Sequence, residues 1–145
     1  HLDLTIYETL VIPPERRPIY HPYSDASRLD LLVPVYALDE MLAEKLRAML
    51  RRTRARDLYD VWQLLTRHKN ALDLRCARWI LSEKSRFKGL SFNSAADFLT
   101  TKNRESWARS WEASLRHQVP EIPDCDQAIA EVEQALDEFL DLPRS

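Results

Sequence analysis

A chain of 145 residues with a single glycine is restricted in the turns it can make. Only glycine enters the left-handed backbone region without steric cost. All-β sandwiches and barrels place glycine in their tight hairpins, and phosphate-cradling loops use it for close backbone approach. With Gly89 alone, a P-loop or a dinucleotide fingerprint is excluded within these residues, and so is a turn-rich all-β fold. The length suits one domain of ordinary size. Hydrophobic residues make up 45% and charged residues 30%, the balance of a soluble globular chain rather than a disordered one. No apolar run approaches the roughly 18 residues that cross a membrane, and no signal peptide opens the sequence, so a cytoplasmic protein is expected.

The hydrophobic period changes once along the chain. Leu2 to Glu8 alternates apolar and polar residues, the period of a half-buried strand. Because this alternation begins at once after His1, an N-terminal portion is expected to be missing. Residues 17–23 form a second short segment, interrupted by Pro18 and Pro22, and residues 31–36 a third, limited by Pro34. From residue 38 the pattern is helical. Residues 38–52 carry an i, i+3, i+4 stripe, and residues 56–68 repeat it after a short link, which predicts two neighbouring helices. A third helix is predicted over 74–87, stopped by Gly89. Ser94 with Asp97 three residues on resembles a capping box for a fourth. Residues 103–117 carry Trp107 and Trp111, and a last helix starts at Asp124 or Asp126. The fold class expected is α+β and mostly α: a short β portion over 1–36, then a helical bundle over 37–145. Trp62, Trp107 and Trp111 lie on apolar stripes, so core packing is expected of them rather than base stacking.

The net charge of −2 conceals an asymmetry. Residues 45–88 hold 13 Lys and Arg against 4 Asp and Glu; residues 119–145 hold one Arg against 8 acids. The basic middle suits a polyanion such as nucleotide or RNA. Alternatively the acidic last helix packs beside it. Cys76 and Cys125 have no metal-ligand spacing and read as two buried thiols.

Within 40–52, Lys45 lies four residues after Met41 and four before Met49, on the stripe where a leucine is expected. A lysine there must snorkel, pair with a carboxylate or point into a polar cleft. Arg52 lies seven residues on, along the same side, and the two cations suit a triphosphate. Asp57 and Asp60 project from one side of the next helix. They read either as a helix cap and structural ion pair, or as an active-site pair that orients the cations and moves protons.

The string 38–52 followed by Ala55-Arg56-Asp57-Leu58-Tyr59-Asp60-Val61 resembles the AbiEii/AbiGii nucleotidyltransferase toxin family, with its "EilAeKlrALxxR" helix and "kaRDlyDl" motif. The resemblance implies a DNA polymerase β-like core with a helical C-terminal domain. It implies transfer of nucleotides from an NTP, with Mg2+, to an RNA acceptor, tRNA in characterised relatives, and a cognate antitoxin, for which the acidic tail offers a charged surface. Lys45, Asp57 and Asp60 match the family's catalytic positions; Lys45, Arg52 and Arg56 match nucleotide-binding ones. Asp3 matches a third metal-binding carboxylate. The family's glycine-serine motif and paired aspartates are absent from this sequence, so the chain is expected to be inactive alone. The competing expectation is a helical nucleic-acid- or partner-binding module without catalysis. The two diverge over Lys45, Arg52 and Asp57: one shared cleft beside Asp3 favours the enzyme, a flat basic surface the binding module.

Overall fold

The computed structural model describes residues 9–20, 22, 24 and 31–142. Asp3 and the alternating segment at 2–8 lie outside the described residues. The architecture is α+β and mostly α, as the change of period predicts. Two short antiparallel strands, β1 (Glu15–Pro18) and β2 (Leu32–Val35), pair Glu15 with Val35 and Pro18 with Leu32. Both prolines sit at positions such a two-stranded ribbon tolerates, where one flank is open. β1 therefore begins two residues before the predicted segment and ends at Pro18.

Six α-helices follow among the described residues: α1 (Leu38–Met49), α2 (Ala55–Trp62), α3 (Leu74–Phe87), α4 (Ala95–Phe98), α5 (Thr101–Leu115) and α6 (Cys125–Leu140). α1 packs on α3 and α2, and α2 packs in turn on α5 and α6. Leu42, Leu46, Leu58, Ile80, Leu81, Trp107, Leu136 and Phe139 fill the shared core. Burying each such side chain contributes roughly 1.5–3 kcal/mol, so the core rather than local propensity holds these helices.

The helix ends follow local chemistry. Gly89 takes φ 65°, and Leu90 N–H and Gly89 N–H donate to the Ser85 and Arg86 carbonyls, closing α3 with a Schellman motif. Ser94 and Asp97 form the predicted capping box of α4. Asp124, not Asp126, caps α6 by accepting from Gln127 N–H. One boundary differs from expectation: the helix predicted over 56–68 becomes a π-helix at Gln63–Arg67. Thr66 Oγ1 donates to the Trp62 carbonyl at 2.7 Å, and such back-bonding competes with the regular helical ladder.

Trp62, Trp107 and Trp111 are buried. Trp62 Nε1 donates to Glu131, and Trp111 Nε1 to the Pro123 carbonyl. Cys76 and Cys125 are free but half-buried rather than buried, and desolvation is the main cause that raises each thiol pKa. Of the two readings of the charge asymmetry, the packing of the acidic last helix against basic residues is seen in part. The acidic α6 meets the basic stretch where Lys69 pairs with Glu138 at 2.7 Å, and Arg104 of α5 pairs with Glu133.

Candidate functional site

α1 and α2 present their facing sides at an acute turn, and the side chains singled out in the sequence converge there. Asp57 stands in the first turn of α2 with its side chain 3% exposed. It does not cap the helix; its carboxylate is the hub of an ion-pair cluster. Arg52 grips it as a fork, Nε to Oδ2 at 2.7 Å and Nη2 to Oδ1 at 3.1 Å. Lys45 Nζ lies 3.6 Å from Asp57 Oδ1 and 2.5 Å from Asp60 Oδ2. The hydrogen bond to Asp57 is the main cause that raises the Arg52 pKa above its ordinary value. Planar guanidinium against carboxylate is the stronger of these contacts, because two parallel bonds fix orientation as well as charge.

Lys45 is thus neither buried among leucines nor free in water: its side chain is 29% exposed, stem on the stripe and ammonium at the rim. Arg52 reaches the cluster by a different route from the one its spacing suggests. α1 ends at Met49, yet Arg52 N–H still bonds the Ala48 carbonyl, so Arg52 hangs where one more helical turn would have carried it.

The cluster forms one wall of a cleft of about 440 Å3, also lined by Arg54, Arg56, Tyr59 and Gln118. With its oxygen turned to Arg56, the Gln118 amide accepts from Arg56 Nε and Nη2, both at 2.8 Å. Tyr59 stands edge-on to Trp111 and accepts a 2.6 Å hydrogen bond from Gln63. Lys45, Arg52, Arg56, Asp57 and Asp60 therefore share one cleft; whether it opens beside Asp3 lies outside the described residues. Arg54, which the sequence reading passed over, belongs to the same wall. Its signal was present, since it is the residue just before α2 and offers the helix no side-chain cap.

Among the described residues no group of three or more His, Cys, Asp or Glu side chains is placed to hold a metal ion. Asp57 and Asp60 already neutralise cations, so by themselves they do not fit a divalent-metal site.

A second ionic cluster was missed in the sequence. Glu40 of α1 and Lys84 of α3 are buried, with Nζ to Oε1 at 2.8 Å. Glu40 also accepts from Val11 N–H at 3.2 Å and Ile12 N–H at 3.3 Å, and Lys84 donates to the Thr9 carbonyl at 2.9 Å. Residues 9–12 are thereby fastened to the helices. Lys84 falls four residues after Ile80 and seven after Ala77, on the apolar stripe of α3, so the rule that exposed Lys45 as anomalous applies to it too. A more apolar cleft of about 450 Å3 lies on that side, near Trp79 and Phe87. Of the cations that line it, Lys84 pairs with Glu40, Arg47 with Glu44 and Arg86 with Glu83, and Lys88 lies over the Phe87 ring.

Comparison with protein families places the chain among the nucleotidyltransferases. More particularly, it belongs to the AbiEii family: the model described as nucleotidyl transferase AbiEii toxin, type IV TA system, matches residues 1–141. No curated protein and no solved structure matches the chain. Among the described residues no helix is long and apolar enough to cross a membrane.

Proposed function

We propose that the cleft beside Asp57 receives the triphosphate of an NTP, and that this cytoplasmic toxin transfers the nucleotide to an RNA acceptor, tRNA in the first instance. One observation carries the reading: among the described residues that line the cleft, four cations, Lys45, Arg52, Arg54 and Arg56, stand against two carboxylates, Asp57 and Asp60, a balance of +2. A ligand bearing several negative charges completes that balance. Lys45 exchanges Asp60 for phosphate as a mobile point charge, while Arg52, held by Asp57, keeps a fixed orientation. In nucleotidyl transfer the acceptor hydroxyl attacks the α-phosphorus and pyrophosphate leaves. Lys45 and Arg52 offset the charge that accumulates on the departing oxygens. Asp57 positions both cations, and Asp60 holds Lys45 until the nucleotide arrives.

On this reading residues 1–36 close a nucleotidyltransferase core and residues 37–145 form its helical C-terminal domain. Mg2+, which accompanies NTPs in such reactions, finds no ligand set among the described residues, so the phosphate-handling role alone is assigned to this cleft. The 145-residue chain by itself then binds NTP but does not turn over. Two measurements test this: calorimetric titration with each NTP, and transfer of label from [α-32P]NTP to tRNA. Binding without labelling is the expected result. Clear labelling overturns the assignment of inactivity, and absence of NTP binding overturns the nucleotide site in favour of a binding module without catalysis.

A further inference from the structure

A second cleft of about 500 Å3 adjoins the first, and Arg54 and Arg56 line both. Its other side is α5, which presents Ser106, Ser110 and Ser114 at successive turns, facing Thr53 and the two arginines. No carboxylate lines it. Arg54 makes no ion pair with any described residue, and the neutral Gln118 amide is the partner of Arg56. In the first cleft Lys45 and Arg52 are held by aspartates; at the shared wall two guanidinium charges have no counter-charge among the described residues. The hydroxyls retain capacity as well. Ser106 Oγ donates to Thr53 Oγ1 at 3.1 Å, which leaves the Thr53 hydrogen to donate outward, and Ser114 has no partner among the described residues. Ser110 Oγ donates to the Ser106 carbonyl at 2.9 Å and can still accept.

From this arrangement we infer that the serine-lined cleft is a track for a single strand of RNA, leading the acceptor end past Arg54 and Arg56 into the nucleotide cleft. The inference rests on the nucleotide site proposed above for its direction, but not for its chemistry. Arginines and hydroxyl donors are the groups that hold phosphodiester oxygens. A protein partner would instead require aromatic or large aliphatic anchors, and Ala55 is the largest apolar side chain in this cleft. Hydroxyls that both donate and accept also suit the ribose 2′-OH, the group that distinguishes RNA from DNA. The shared arginines place the last phosphates of the strand beside the first phosphates of the nucleotide, as a transfer between them requires.

The test uses a fluorescein-labelled single-stranded RNA octamer, the DNA octamer of the same sequence, and the unlabelled NTP that binds best. Anisotropy should show RNA binding that falls steeply with salt. Ser110→Glu with Ser114→Glu, both at half-buried positions bordering the cleft, should weaken RNA binding at least about tenfold and leave NTP binding unchanged. Arg54→Gln, at an exposed position, should lower the affinity about tenfold and flatten the salt dependence without altering thermal melting. Unchanged RNA affinity in both variants overturns the track, as does equal affinity for the DNA strand. Failure of NTP binding alongside serine-dependent RNA binding would sink the nucleotide site and leave the track standing.

Discussion

The two ionic clusters on α1 make opposite uses of the same residue types. Glu40 points toward α3 and meets Lys84, 2% exposed, at the edge of the more apolar cleft, where backbone N–H groups, a carbonyl and Glu44 complete the contacts of the pair. Lys45 points toward α2 and meets Asp57 and Asp60 at a rim, where a cleft begins. Enclosure separates them. A pair this buried, with hydrogen bonds to the 9–12 backbone, fixes how residues 9–12 sit on the helices. A cluster whose one buried member, Asp57, is joined by partly exposed Lys45, Asp60 and Arg52 keeps its geometry and, under the function proposed above, can still trade a partner for a ligand. Glu40 and Lys45, two charges on one helix, thus differ according to which neighbour covers them.

Three substitutions would break or sharpen this contrast. Lys84→Met should have the largest effect: it strands the Glu40 charge, and truncating one member of a buried pair costs about 3–5 kcal/mol. Urea unfolding monitored by circular dichroism measures it. The double variant Glu40→Gln with Lys84→Met should lose less than Lys84→Met alone, because no charge is then left buried without a partner. Lys45→Met should change stability by less than about 1 kcal/mol, since the lysine stem already lies on an apolar stripe and Asp57 keeps Arg52. The same variant should weaken NTP binding by about tenfold in calorimetry. A stability loss as large as that of Lys84→Met would erase the distinction between fastening and site.

The smallest effect extends the comparison to a carboxylate at the surface. Asp97 accepts from Asn93 N–H at 2.7 Å and Ser94 N–H at 3.0 Å, and these bonds hold its pKa below the ordinary value. A group whose folded pKa is depressed contributes stability above its unfolded pKa, about 4, and loses it as pH falls through the lower folded value. Asp97→Ala should therefore destabilise by about 0.5–1 kcal/mol at neutral pH and by less as pH falls below about 4. Thermal melts across that range read it directly; a difference that grows on acidification contradicts the assignment.

Much of the site was legible because one rule, a charge on an apolar stripe, isolates residues without knowledge of the fold. It isolated Lys45, and the motif around Asp57 supplied the partner. Applied to α3 it would have isolated Lys84 as well, but Glu40 as its partner was beyond reach. Glu40 and Lys84 lie on different helices, and no periodicity relates one helix to another. Arg52 illustrates a correct neighbour reached by an incomplete argument, because the helix assumed to carry it stops at Met49. The serines of α5 show a regular spacing, yet spacing cannot say that they face Arg54 and Arg56.

Hydrophobic period, the scarcity of glycine and the capping residues are local properties, set by a residue and its neighbours within about two helical turns. The sequence alone therefore determined the change from strands to helices, the stop at Gly89, the cap at Ser94, and the anomaly of Lys45, and narrowed the cap of α6 to Asp124 or Asp126. Tertiary structure decided what each charge faces. Counter-charge, exposure and the pairing of clefts depend on which helices pack together, and burial of apolar surface drives that packing without regard to direction. The same residue type on the same kind of stripe became a fastening at residue 84 and a cleft-lining, partly exposed group at residue 45 for that reason.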